Sequence, residues 1–240
     1  MADPTRGAAA LSATRDTLHR VATHVLARRR YEVTGRFGLR VSPGGIATPA
    51  FGDGPEVVRV SGGHLVHETG GGATLVPLEG STLASLASAV GAHLDMPFHA
   101  GEDTPDLGDP DEPLALDHDV LDRLAGWYAF AARVLDEILA GAPAGAAPAT
   151  VQLWPEHFDL GTHLAASDSS RVNLGASPGD AFSPDPYLYV GPWDSERPGG
   201  EEYWNAPFGA VFDATTLAAC DDARRAGLDF FARGLELLAG

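Results

Sequence analysis

A Ser-Pro-Gly turn occurs twice in this chain with the same neighbours, and no other feature limits the possible folds as much. Arg36, Leu39, Ser42-Pro43-Gly44 and Thr48-Pro49 are answered 135 positions later by Arg171, Leu174, Ser177-Pro178-Gly179 and Ser183-Pro184. Ser81-Thr82-Leu83-Ala84 is answered by Thr215-Thr216-Leu217-Ala218, and Ala22, Val25 and Leu26 by Ala131, Val134 and Leu135. A chain that repeats itself at such spacing is read as two related supersecondary units. The expected architecture is α+β, with antiparallel sheet covered by helices on one side and two pseudo-duplicated α-β-β-β-α halves. The halves are 1–95 and 117–240, joined by an acidic, Pro-rich linker at 96–116. The second half is about 26 residues longer, which places an inserted segment at about 141–168.

Local patterns supply the elements. Apolar residues at helical spacing run from about Ala9 to Arg30, and Arg28, Arg29 and Arg30 suit the negative end of the helix dipole. Phe37, Leu39 and Val41 alternate with polar or small residues as a half-buried strand, closed by Pro43-Gly44-Gly45. Val57–His67 and Ala73–Leu78 flank Gly70-Gly71-Gly72 as a hairpin, and Ser81 caps a helix reaching about Leu94. The stripe Val120, Leu121, Leu124, Trp127, Ala131, Val134, Leu135 and Ile138 predicts a helix over 117–140, ended by Gly141. Strands are expected at 149–164, 170–177, 186–192 and 207–213, and a last helix at 216–239.

Composition removes several chemistries. All 16 basic residues are arginine, so a lysine Schiff base to pyridoxal phosphate and a P-loop nucleotide site lack their amine. This acidic, Ala/Gly/Arg-rich balance resembles high-GC bacterial proteins. The formal net charge of -17 opposes nucleic acid and anionic membranes as partners and favours a soluble chain. Residues 1–10 show no signal peptide, and no apolar run is long enough to span a membrane, so a cytoplasmic location is expected. Cys220 is the only cysteine, which rules out an intrachain disulfide, and it is expected to be buried.

Several motifs resemble those of a bacterial domain-of-unknown-function family. They are Thr48-Pro49-Ala50-Phe51-Gly52, Pro77-Leu78 with Ser81, Pro97-Phe98, Trp154-Pro155-Glu156-His157-Phe158-Asp159-Leu160, Gly179-Asp180 and Pro186-Tyr187-Leu188-Tyr189-Val190. The resemblance spans most of the chain and implies kinship of fold without a known activity. This chain has one residue more between Trp154 and Phe158 than some members of the family.

Three familiar site patterns fail on their chemistry. Gly175-Ala176-Ser177-Pro178-Gly179 has the letters of a serine-hydrolase elbow, but Pro178 has no N–H to give an oxyanion hole. The glycine clusters do not spell a dinucleotide fingerprint. The Asp106, Asp109, Asp111, Glu112 run is broken by Pro110 and lacks calcium-loop spacing.

The inserted segment holds the best candidates. If it runs as one strand, Trp154, Phe158, Leu160 and Leu164 share one face, and His157, Asp159 and His163 share the other. His157 and Asp159 form a candidate acid/base pair, or with His163 a metal-binding set; the same pattern also describes the wet face of a half-buried sheet. The second half is also rich in aromatic residues. A strand from Tyr187 puts Tyr187, Tyr189 and Trp193 on one face, so a ligand pocket is expected from these three with His157 and Asp159, and Asp180 at its rim. The functional expectation is a small-molecule binding protein or enzyme using this site. The alternative is a non-catalytic structural or interaction protein acting through its acidic surface. Oligomeric state is left open.

Overall fold

The computed structural model describes residues 4–167, 170–200 and 202–240; residues 1–3, part of the segment read above for a leader, lie outside it. Its helices are α1 (Pro4–Val21), α2 (Arg28–Thr34), α3 (Leu83–Val90), α4 (His118–Ala140), α5 (Ala214–Ala218) and α6 (Ala223–Ala239). A π-helical segment, Ala22–Ala27, joins α1 to α2. Strands β1 (Arg40–Ser42), β2 (Gly45–Ala47), β3 (Val57–Ser61), β4 (His64–Thr69) and β5 (Gly72–Pro77) form one sheet in sequence order. Strands β6 (Gln152–Trp154), β7 (Asp159–Ala165), β8 (Arg171–Ser177), β9 (Tyr187–Pro192) and β10 (Ala210–Asp213) form a second, also in sequence order. Every resolved pairing is antiparallel, so the fold is α+β with two five-stranded meanders. None of the described helices is long and apolar enough to cross a membrane.

Five strands per sheet, where the local patterns gave three in the first half and four in the second, follow in part from turns hidden inside apolar runs. Val57–His67 reads as one strand, but Gly62 and Gly63 have φ of 56° and 75°. Two successive left-handed residues make the hairpin turn whose twist matches its strands, so Ser61 faces His64 and the run folds into β3 and β4. In the other half, Pro155 to Phe158 form a turn that splits the expected strand 149–164 into β6 and β7, with the Phe158 N–H donating to the Trp154 carbonyl at 2.8 Å.

The chain divides into two compact units. Unit 1 comprises residues 1–129 with 153–158, and unit 2 comprises 130–152 with 159–240. These units are divided at other positions than the halves 1–95 and 117–240 read from the sequence. In unit 1 the buried Val21, Ala22, Val25 and Leu26 join Val58, Val60 and Leu65 of the sheet and Leu83, Leu86 and Val90 of α3. Segment 153–158 is part of this core: Leu153 exchanges backbone hydrogen bonds with Leu39, and the Pro155 carbonyl accepts from Thr23 Oγ1 at 2.7 Å. Residues 96–116 are not a free linker. They bury Phe98, Ala100 and Leu114, and their carbonyls accept from Arg20, His24 and Arg28.

In unit 2 the two sheet faces differ sharply. Leu160, Leu164, Val172, Leu174, Ala176, Leu188 and Val190 are buried on one face. Glycines of α6 let that helix come close to this face: a Cβ on Gly227 would lie 3.2 Å from Leu188 and 3.3 Å from Val134 of α4, and one on Gly234 would lie 3.0 Å from Val190. The opposite face carries Asp159, Ser177, Tyr187 and Tyr189.

Both halves follow the plan helix, five-stranded meander, helix. The Ser-Pro-Gly turns nevertheless hold different places in it. Pro43-Gly44 is the two-residue turn between the first and second strands, whereas Ser177 ends the third strand of the second sheet and Pro178-Gly179 opens a long loop to β9. The sequence match therefore aligns an edge strand with a central one and does not carry strand for strand.

Candidate functional site

The face of the second sheet opposite its helices is set by register. Pairing of β7, β8 and β9 puts Gly161, Gly175 and Tyr189 in one row. Ser177 pairs with Tyr187 in the adjacent row, which Asp159 extends at the start of β7. The glycines matter here: a Cβ on Gly175 would sit 2.3 Å from the Tyr189 ring, so the phenol lies flat over a floor that only glycine leaves open. From there the Tyr189 hydroxyl reaches across and donates to Asp159 Oδ2. One row over, Tyr187 donates to Asp180 Oδ2 at 2.6 Å.

Asp180 also organises the loop between β8 and β9. Its Oδ1 accepts from the backbone of Phe182 and Ser183 at 2.8 and 3.1 Å, and its Oδ2 accepts from Ser177 Oγ at 3.1 Å. This turn lays Phe182 against Tyr187, with ring centroids 5.7 Å apart, and against Phe208 at 5.1 Å. Phe208 also meets Tyr189 at 6.5 Å. Burial raises the ionisation of both tyrosines above the ordinary phenol range. The negative charge of Asp180 adds to this at Tyr187, and that of Asp159 at Tyr189. Both phenols therefore remain protonated donors.

Trp193 stands further along the same face. Its indole Nε1 donates to Asn173 Oδ1 at 2.7 Å, the Arg171 guanidinium lies 5.2 Å over its ring, and the His163 ring is 5.4 Å away.

The structure thus brings Asp159, Asp180, Tyr187 and Tyr189 together, with Trp193 and His163 along the same sheet face. His157 belongs to unit 1. Its Nδ1 is 3.2 Å from Asp103 and its Nε2 3.3 Å from Glu156. The shared face expected for His157 and Asp159 rested on uninterrupted alternation, and the Pro155–Phe158 turn ends that alternation, with Phe158 itself at φ 58°. Among the described residues, no group of three or more His, Cys, Asp or Glu side chains is gathered as a metal ion would require. Cys220 is partly exposed in the break between α5 and α6, where its thiol lies 3.5 Å from the Thr216 carbonyl, so the expected burial does not hold.

Sequence reading missed Phe182 and Phe208 as members of the cluster. Both lie in loops, where no periodicity assigns a side chain to a face. Unit 2 also has an open groove of about 370 Å³ whose lining includes Tyr203, Phe212, Phe230 and Arg233. The chain matches no family model, no curated protein and no solved structure.

Proposed function

We propose that this protein binds a small molecule on the face of the second sheet formed by Asp159, Asp180, Tyr187 and Tyr189, with Phe182, Phe208 and Trp193 as its apolar contacts. One observation carries the reading. Phe182, Trp193 and Phe208 are 46%, 58% and 38% exposed, and all three stand on the same face of one sheet. Large rings left in water forgo the stabilisation that burial would give, and their grouping beside polar residues marks a recognition surface. The two tyrosines suit such a surface because each is an apolar plate with a polar tip held in a fixed direction.

A thermal-shift screen of metabolites and organic ions tests the proposal, run on the wild type and on Phe182→Ser, Trp193→Ser and Phe208→Ser. A ligand at about 100 times its Kd stabilises the folded state by roughly 2.7 kcal/mol. The expected result is a compound that raises the wild-type midpoint and loses that effect in at least two variants. A screen without such a compound, or variants that respond like the wild type, would overturn the proposal.

A further inference from the structure

We infer that β5 is a docking edge for a second copy of this chain, which adds its own β5 antiparallel about a two-fold axis through Thr74. The inference is independent of the binding face proposed above, because β5 belongs to unit 1 and that face to unit 2. An edge strand offers a row of unpaired backbone donors and acceptors, and folded proteins close such rows by specific devices. Beside β1, Leu39 exchanges backbone hydrogen bonds with Leu153. At β10, the Asn205 side chain accepts from the Val211 N–H at 2.8 Å and donates to its carbonyl at 3.0 Å. Among the described residues, β5 has no such device, and Gly72 to Leu75 are all exposed, Leu75 to 62%. The register with β4 identifies the open groups. The Leu78 N–H donates to the Gly63 carbonyl at 2.9 Å, which makes these two a hydrogen-bonded pair. Alternation from there gives Leu65–Val76 and His67–Thr74 as the next such pairs, and it turns the N–H and C=O groups of Ala73 and Leu75 outward. Pro77 has no N–H, and its carbonyl accepts from Ser81 Oγ at 2.6 Å, so the open row is Ala73 and Leu75.

This row is complementary to itself. Its two outward residues stand evenly about Thr74. A two-fold axis there sets Ala73 opposite Leu75 of the second copy and Leu75 opposite its Ala73, each pair exchanging both hydrogen bonds. Paired residues lie on the same side of a sheet, so each projecting Leu75 falls beside a small Ala73. The strand Gly72-Ala73-Thr74-Leu75-Val76-Pro77 carries no charge in a chain of net charge -17. The self-pair therefore sets no like charges opposite each other. Glu68, across from Ala73 on β4, is already paired with Arg59 at 2.7 Å. A foreign peptide added to an edge is selected by pockets for its side chains, and Leu75 is a projection rather than a pocket. One strand pair covers less than the roughly 800 Å² per partner of a stable complex, so the dimer is weak and dissociates on dilution.

The test is sedimentation velocity from about 1 µM to about 1 mM protein in about 150 mM sodium chloride. The expected result is a monomer–dimer equilibrium in the wild type, weakened roughly tenfold or more by Leu75→Pro. That proline replaces an N–H that β4 does not use, and its ring blocks the edge. Cysteine pairs then read the register, in a Cys220→Ser background that removes the only native thiol. Thr74→Cys places the two thiols across the axis with Cα atoms about 4.5 Å apart, within disulfide reach. Leu75→Cys places them out of register, more than about 7 Å apart. With oxidised glutathione, Thr74→Cys should form a covalent dimer and Leu75→Cys should not. A wild type that is monomeric at every concentration, a dimer unaffected by Leu75→Pro, or equal cross-linking at both cysteines would overturn the inference. The cysteine pair decides it even if Leu75→Pro unfolds the chain. Shifts of the Ala73 and Leu75 amides on adding an uncharged extended peptide, without self-association, would give the edge to a foreign strand and overturn the second copy.

Discussion

His19 shows how one side chain can report on the packing around it. It lies on α1 with its ring stacked on Phe158 at 4.9 Å, and its Nε2 donates to the Pro155 carbonyl at 2.8 Å. A carbonyl can only accept, so the proton sits on Nε2. Burial is the largest influence on this group and lowers its pKa from 6.5 to about 4, against the hydrogen bond to Pro155, which raises it. His24 is lowered in the same direction, again by burial first. The unfolded chain therefore binds a proton that the folded chain refuses. The stabilisation is complete above pH 6.5 and is lost as pH falls from 6.5 towards 4. From His19 alone the loss is about 2 kcal/mol by pH 5 and approaches 3 kcal/mol below pH 4. Urea unfolding of the wild type and His19→Gln at pH 7.5 and pH 5 measures it. The variant should lose about 2 kcal/mol less between the two pH values, and parallel losses would show that His19 carries no such linkage. At this scale alternation along a strand puts Tyr187 and Tyr189 on one face from the sequence alone, because it is a local property. The alternation does not run through His157 to Asp159, because a turn beginning at Pro155 interrupts it, and Asp180 lies in a loop where no alternation applies.

Among the elements, segment 96–116 differs most from its sequence. Its Pro, Asp and Glu content reads as a solvated linker, yet residues of the α1–α2 run hold it in place. Arg28 donates to the carbonyls of His93 and Met96 at 2.5 and 2.7 Å and lies 5.3 Å from the Phe98 ring. Arg20 donates to the Leu107 carbonyl, and His24 to that of Pro105 at 2.7 Å. The backbone of Leu114 completes the seam with bonds to Gly80 and Ser81. A loop lacking regular structure satisfies its carbonyls in this way, through side chains reaching from elsewhere. Arg28 is 3% exposed, and Arg28→Met, which keeps the stem and removes the charged donors, deprives the His93 and Met96 carbonyls of these hydrogen bonds. The expected cost is about 2 kcal/mol. The segment should also become cleavable at Glu102 by a glutamate-specific protease under conditions where the wild type resists. Equal cleavage rates would show that Arg28 does not hold the segment. The α5–α6 break is a smaller case of the same kind. One helix was expected over 216–239, but the Asp222 side chain caps a fresh N-terminus by accepting from the Arg225 N–H at 2.9 Å.

For the whole molecule, net charge acts on every element at once. At -17 the folded chain repels itself, and salt relieves that repulsion by shortening the screening length from about 30 Å at 10 mM to about 8 Å at 150 mM. Calorimetry across this range should show the unfolding temperature rising by several degrees, and a flat or falling trend would show that local ion pairs outweigh the global field. Charge is a sum over residues, so the sequence alone decides it. The sequence also decided the α+β class and the stretches that became α4, β8 and β9, since helical and strand periodicities depend on neighbours a few residues apart. It decided the Ser-Pro-Gly turns as turns, because a proline and a left-handed glycine are local conformational facts. Tertiary structure decided where those turns fall in each sheet, the return of 153–158 to unit 1, and the meeting of Phe182, Tyr187, Tyr189 and Phe208. Each depends on which distant segments bury one another, and that free energy belongs to pairs of segments rather than to any window of the chain.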